Sequence, residues 1–183
     1  MMRRKNRQSW QSKRPHSEES LRFLSWLRDR GSLTARLQTR GAFAVQTLRQ
    51  ELAVPTLDEA RVLGIRGGQL AWVREVALHC GGVPVVFAHT VLAYRPRGPL
   101  TGWLARLGNR SLGALLFAQA RFIRGALYCQ RLDERHELFH PAIAALQLME
   151  NTPKALWARR SRFHFGTQSV LVTEVFSPVL GER

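Results

Sequence analysis

A run with a period of two, Leu70 to Cys80, is separated from a second strand-like run, Val83 to Tyr94, only by Gly81 and Gly82. Alternation over that length reads as strand, and a Gly-Gly step between two strands reads as a hairpin turn. One face of the first strand carries Leu70, Trp72, Arg74, Val76 and Leu78, so an arginine stands in the middle of an apolar row. Burying a guanidinium costs free energy unless a carboxylate meets it, and its planar fork matches a carboxylate with two parallel hydrogen bonds. Arg74 therefore requires either a protein acid or an anionic ligand.

The last strand-like run repeats the anomaly. Val170, Val172, Glu174 and Phe176 share one face, and Leu171, Thr173 and Val175 the other, so Glu174 is flanked by apolar residues. Desolvation raises the pKa of a carboxyl and a nearby arginine lowers it, so the pattern leaves its protonation open. It also leaves two roles open: an ion pair with Arg74, or a contact with a ligand hydroxyl.

Around these strands the chain alternates helical and extended stretches. Ser17 to Arg30 reads as one helix, capped by Ser17 and stopped by Gly31, with an apolar stripe of Leu21, Leu24 and Leu27 beside Phe23 and Trp26. Ser32 can cap a second short helix through Leu37, which makes a helical hairpin. Ala42 to Leu52 reads as strand, and Pro55 to Gly68 as a connection. A second helical pair follows, Leu100 to Leu107 and Ser111 to Ala120, divided by Gly108 and Asn109. Arg121 to Arg131 reads as strand, Pro141 to Met149 as helix, and Leu156 to His164 with Ser169 to Phe176 as a terminal hairpin around Gly166. The expectation is an α+β domain over 17–183 with about six mostly antiparallel strands, preceded by a basic, disordered tail over 1–16.

Composition narrows the function. The apolar share of 45% in 183 residues suits one globular domain with a real core. The longest apolar stretches fall well short of a membrane span, and no secretion signal follows the basic start, which points to a cytoplasmic protein. Cys80 and Cys129 are too few for a disulfide scaffold and read as small core residues, and no short His/Cys spacing suggests a metal. The formal charge of +15 invites a nucleic-acid partner, but Arg3, Arg4, Lys5, Arg7, Lys13 and Arg14 concentrate it in the tail, and the remainder is dispersed. An arginine excess also speeds encounter with anionic substrates. His136 and His140 read as surface or supporting groups. Alternation puts Arg159 on one face of its strand and Arg160 with Arg162 on the other, so the three form no phosphate cluster; structural ion pairing is the expectation, with Arg160 the weaker option for a second substrate carboxylate.

Several segments, in order, resemble the chorismate pyruvate-lyase family. They are Trp26-Leu27 with Gly31-Ser32-Leu33-Thr34, Trp72-Val73-Arg74-Glu75-Val76, Arg110-Ser111-Leu112-Gly113 with Leu116-Phe117, Leu156 to Phe163, and Leu171 to Phe176. The resemblance spans about residues 20 to 178. It implies a six-stranded antiparallel sheet with two helix-turn-helix flaps closing an internal site. It also implies a lyase that makes 4-hydroxybenzoate and pyruvate from chorismate at the start of ubiquinone synthesis; a cofactor-free monomer, inhibited because its product keeps both anchored groups, is the expectation that goes with it. Arg74 would then bind the ring carboxylate and Glu174 the 4-hydroxyl, while Leu33 and Leu112 line the site and offer backbone groups. Two departures stand out: leucine at position 33, where methionine also occurs in the family, and a long stretch from Tyr128 to Pro153. The same fold also serves as a sensor domain in transcription regulators, which carry a DNA-binding domain ahead of it.

Overall fold

The computed structural model describes residues 9–12, 15–95, 98–113, 116 and 121–181. Its frame is a six-stranded sheet of β1 (Phe43–Ala53), β2 (Ala71–Cys80), β3 (Val83–Ala93), β4 (Ile123–Leu132), β5 (Leu156–Phe165) and β6 (Gln168–Phe176). The order is β1-β2-β3-β6-β5-β4, and every adjacent pair is antiparallel. At the β2–β3 turn Gly81 (φ 60°) and Gly82 (φ 83°) both take the left-handed region that side chains resist. That is why this turn carries two glycines.

The helices are short: α1 (Glu18–Leu21), α2 (Leu24–Leu27), α3 (Leu33–Gln38), α4 (Leu57–Leu63), α5 (Pro99–Ala105) and α6 (Phe139–Ala145). Ser17 and Ser32 cap α1 and α3 as expected, each accepting a backbone N–H. The single helix expected from Ser17 to Arg30 is instead two, broken at Phe23. The break turns Phe23, Trp26 and Leu27 together into the core and leaves Leu21 at the surface. A straight helix would have pointed Leu21 inward with Leu24. The stretch from Pro55 to Gly68, expected as a connection, contains α4. Thr56 and Glu59 close a reciprocal capping box at its start, and Gly64 ends it in the left-handed conformation. Most of the expected 111–120 helix lies outside the described residues, although Leu112, Gly113 and Leu116 are helical.

The sheet has two distinct faces. The front face packs Val76, Leu78, Val86, Trp157 and Phe176 against Phe23, Trp26, Leu27, Leu33 and Leu37. The back face packs Phe87, Leu156, Ala158 and Val175 against Leu138, Phe139, Ala142 and Ile143. Much of the long 128–153 stretch is thus a cover for the back of the sheet. The Gln11 backbone exchanges two hydrogen bonds with Cys129, of 2.9 and 2.8 Å, inside the segment expected as a tail. Cys80 is half-buried and Cys129 buried, both as free thiols.

Candidate active site

Between the front face and the helical corners lies a cavity lined by Leu33, Thr34, Arg74, Ser111, Leu112, Arg124 and Glu174, with Val76, Ala88, Phe163 and Val172 on its floor. All four residues expected to bind substrate, Leu33, Arg74, Leu112 and Glu174, meet here. Its volume is about 40 Å³, room for a few waters where one needs roughly 10–15 Å³. A six-membered ring with substituents enters only if a wall moves.

Arg74 is 1% exposed. Its Nε donates to Gln50 Oε1 (3.1 Å), and its Nη2 to the carbonyls of Gly108 (2.6 Å) and Arg110 (3.1 Å). No carboxylate pairs with it among the described residues, and burial pushes its pKa down to about 10. None of these three bonds uses Nη1. A bulge in β1 at Leu48, where Thr47 pairs with Val76 but Arg49 with Glu75, brings Gln50 alongside Arg74.

Glu174 does not touch Arg74. Arg74 pairs with Thr90, Thr90 with Val172, and Ala88 with Glu174, so Glu174 lies two strands across and two residues along, roughly 12 Å between Cα atoms. Its partner is Arg159, 1% exposed, whose Nε donates to Glu174 Oε2 at 2.5 Å. Arg159 Nη1 also donates to the carbonyls of Trp26 and Asp29, each at 2.6 Å, tying the carboxylate to the corner below α2. The internal ion pair left open for Glu174 therefore exists, but with Arg159 and not Arg74.

The other arginines separate by face, as alternation requires. Arg160 ion-pairs with Asp58 of α4, and Arg162 donates to the Val62 carbonyl, both behind the sheet. Arg160 thus cannot meet a ligand in the front cavity, which removes it as a holder of a second carboxylate. His136 lines a wide depression on that back face with Asp58, Arg160 and Thr173, and burial lowers its pKa; His140 is exposed. No described residue from 128 to 153 lines the front cavity.

Arg124 is the cavity group that sequence reading missed. Strict alternation places it on the face opposite Leu127 and Cys129. A bulge reverses this: Arg124 pairs with Phe163 and Leu127 with Ser161, three residues of β4 against two of β5. Gly125 sits at the bulge, where a Cβ would come within 3.1 Å of the Arg162 carbonyl. A glycine between an arginine and a strand-like run was the signal available.

Two helical corners close the cavity. Thr34 at the start of α3 and Ser111 ahead of the Leu112 turn share a hydrogen bond of 2.5 Å between their hydroxyls. Gly113 lets them approach, since a Cβ there would stand 3.2 Å from Thr34 Oγ1. Among the described residues no cluster of three or more His, Cys, Asp or Glu is placed to hold a metal, and no helix is long and apolar enough to cross a membrane.

Comparison with known proteins gives the chain relatives in sequence and in fold. The family model described as chorismate lyase matches residues 4–182. A probable chorismate pyruvate-lyase of Aromatoleum aromaticum is 46% identical, covering 98% of this chain and 97% of its own. Another, of Dechloromonas aromatica, is 50% identical over 85% of this chain and 86% of its own. Among solved structures, PhnF from Mycobacterium smegmatis superimposes with a TM-score of 0.59 at 17% identity, covering 84% of this chain and 67% of that one. The C-terminal domain of the histidine utilization repressor from Pseudomonas syringae pv. tomato does so with 0.58 at 10% identity, covering 78% and 96%. These structural likenesses speak to the fold alone.

Proposed function

The chain belongs to the chorismate lyase family, and on that premise we propose that it converts chorismate to 4-hydroxybenzoate and pyruvate. The observation that carries the reading is a guanidinium 1% exposed with no carboxylate partner among the described residues, lining the same cavity as a carboxylate that is already neutralised. A cation so placed binds an anion. Chorismate offers a ring carboxylate at one end and a 4-hydroxyl at the other.

Arg74 takes the ring carboxylate, with Nη1 available for a charge-assisted bond. Glu174 takes the 4-hydroxyl through the oxygen that its bond from Arg159 leaves over, and Leu33 and Leu112 close on the ring with their backbones near it. Loss of the C4 proton and cleavage of the C3–O bond, with enolpyruvate leaving and taking up a proton to become pyruvate, makes the ring aromatic, so the protein has to hold the substrate more than force it. Glu174 assists proton movement at that end, help typically worth roughly 10² to 10⁴ in rate.

The product keeps both anchored groups, so the site binds it tightly and release waits on opening of the helical corners. The reading places the protein in the cytoplasm as a monomer acting without cofactor, metal or nucleic acid, its product entering ubiquinone synthesis. Purified protein incubated with chorismate and no added metal is expected to produce the absorbance of 4-hydroxybenzoate, with turnover slowed when that product is added beforehand. Absence of turnover by the intact chain overturns the proposal.

A further inference from the structure

We propose that Arg124 is the binding residue for the enolpyruvyl carboxylate, the second negative charge of the substrate. The inference rests on the chorismate reading above and completes it. Among the described residues the charged side chains lining the cavity are Arg74, Arg124 and Glu174. Arg159 ion-pairs with Glu174 from behind, and two further guanidiniums, Arg74 and Arg124, line the cavity that a dianion would enter. Arg74 holds one carboxylate from the β2 side; Arg124 stands on the β5–β4 side, at the other end of the same cavity.

The guanidinium of Arg124 is fixed before any ligand arrives. Its Nε donates to Ser161 Oγ at 3.0 Å, its Nη1 to the Arg30 carbonyl at 2.9 Å and more weakly to that of Gly31 at 3.5 Å. Its Cζ lies 5.3 Å from the centre of the Phe163 ring. Burial, and next the charge of Arg159, push its pKa down to about 10, partly offset by Glu174. A second cation held near Arg159 against that repulsion is relieved by an arriving anion. In chorismate the C3 ether is next to the C4 hydroxyl, so a substrate with its hydroxyl on Glu174 brings the enolpyruvyl group to this end. The β4 bulge and Gly125 serve this placement, because without the extra residue Arg124 faces the back of the sheet.

The product 4-hydroxybenzoate lacks the enolpyruvyl carboxylate, and that asymmetry supplies the test. Arg124→Gln is expected to raise KM for chorismate roughly tenfold or more while the Kd for 4-hydroxybenzoate stays within about twofold of wild type, and Arg124→Lys to recover part of the loss. Equal weakening toward both ligands makes Arg124 only a tie to the Arg30-Gly31 corner and overturns the assignment, as does an unchanged KM. A second measurement needs no variant. Wild-type protein should bind 4-hydroxybenzoate bearing a 3-carboxymethoxy group about tenfold more tightly than its methyl ester, and equal affinity overturns the proposal. Wild-type protein inert toward chorismate instead removes the proposed function itself, a result separate from either comparison.

Discussion

Two guanidiniums on the front of the sheet, each 1% exposed, are accommodated differently. Arg159 has the Glu174 carboxylate and two carbonyls; Arg74 has one amide and two carbonyls, with no carboxylate among the described residues to balance its charge. A structural arginine resembles the first, and one awaiting an anion the second. Arg74→Ala should therefore lose a charge-assisted contact of about 1.5–3 kcal/mol, seen by titration calorimetry as a roughly 10- to 150-fold rise in the Kd for 4-hydroxybenzoate. Affinity equal to wild type would detach Arg74 from ligand binding, and the contrast with Arg124→Gln separates the two arginines. Arg74 and Glu174 were legible in the sequence because a lone charge in an apolar alternation stands out under strict period two. Arg124 was not, because a bulge changes parity by one and the sequence marks it with nothing stronger than Gly125.

At the scale of elements the strands were legible to within a residue or two at most ends, since alternation and glycine turns are local properties of the chain. Helices were less so. The capping box of α4 is written in Thr56 and Glu59, yet Pro55 before it and Gly64, Gly67 and Gly68 after it read as a loop. The break at Phe23 is set by what α1 and α2 pack against, which no local pattern carries. The two corners over the cavity join through Thr34 and Ser111, whereas the far end of the second corner is anchored to β6 by the Leu100 N–H donating to Gln168 Oε1 at 3.1 Å. Opening is thus expected at the hydroxyl pair and not at the base. If release of product limits turnover, Thr34→Val, which removes one net hydrogen bond of roughly 0.5–1.5 kcal/mol, should speed dissociation of 4-hydroxybenzoate about two- to tenfold in stopped-flow displacement. An off-rate that does not change would mean that the corners part elsewhere.

Across the whole molecule the fold does not choose the function: the C-terminal domain of a repressor at 10% identity shares the architecture, so the proposed chemistry rests on the front cavity, where Glu174 pairs with Arg159 and Arg74 meets no carboxylate among the described residues. The back of the same sheet holds a different set of buried charges, which secures the platform beneath that cavity. His89 of β3 lies 2.9 Å from Glu59 of α4 and 3.0 Å from Glu75 of β2, so one imidazolium joins a helix to two strands. Burial alone would lower its pKa, but the two carboxylates outweigh burial and raise it to about 9. Burial likewise opposes ionisation of Glu59, and the bonds to His89 and Thr56 hold its carboxyl below the usual value. The folded pKa of His89 exceeds its unfolded value near 6.5, so its contribution is fully present below about pH 6.5 and disappears as pH rises through about 9. Glu59 has the opposite sign, contributing above about pH 4.5 and fading as pH falls through its depressed value. The melting temperature should therefore decline between about pH 6.5 and 9.5, and His89→Gln should be less stable at pH 6.5 with a flatter profile over that window. Nuclear magnetic resonance offers the direct reading, a His89 imidazole still protonated at pH 7.5. A neutral ring at that pH, or parallel stability profiles for the two proteins, would mean that the triad is held by packing and not by charge.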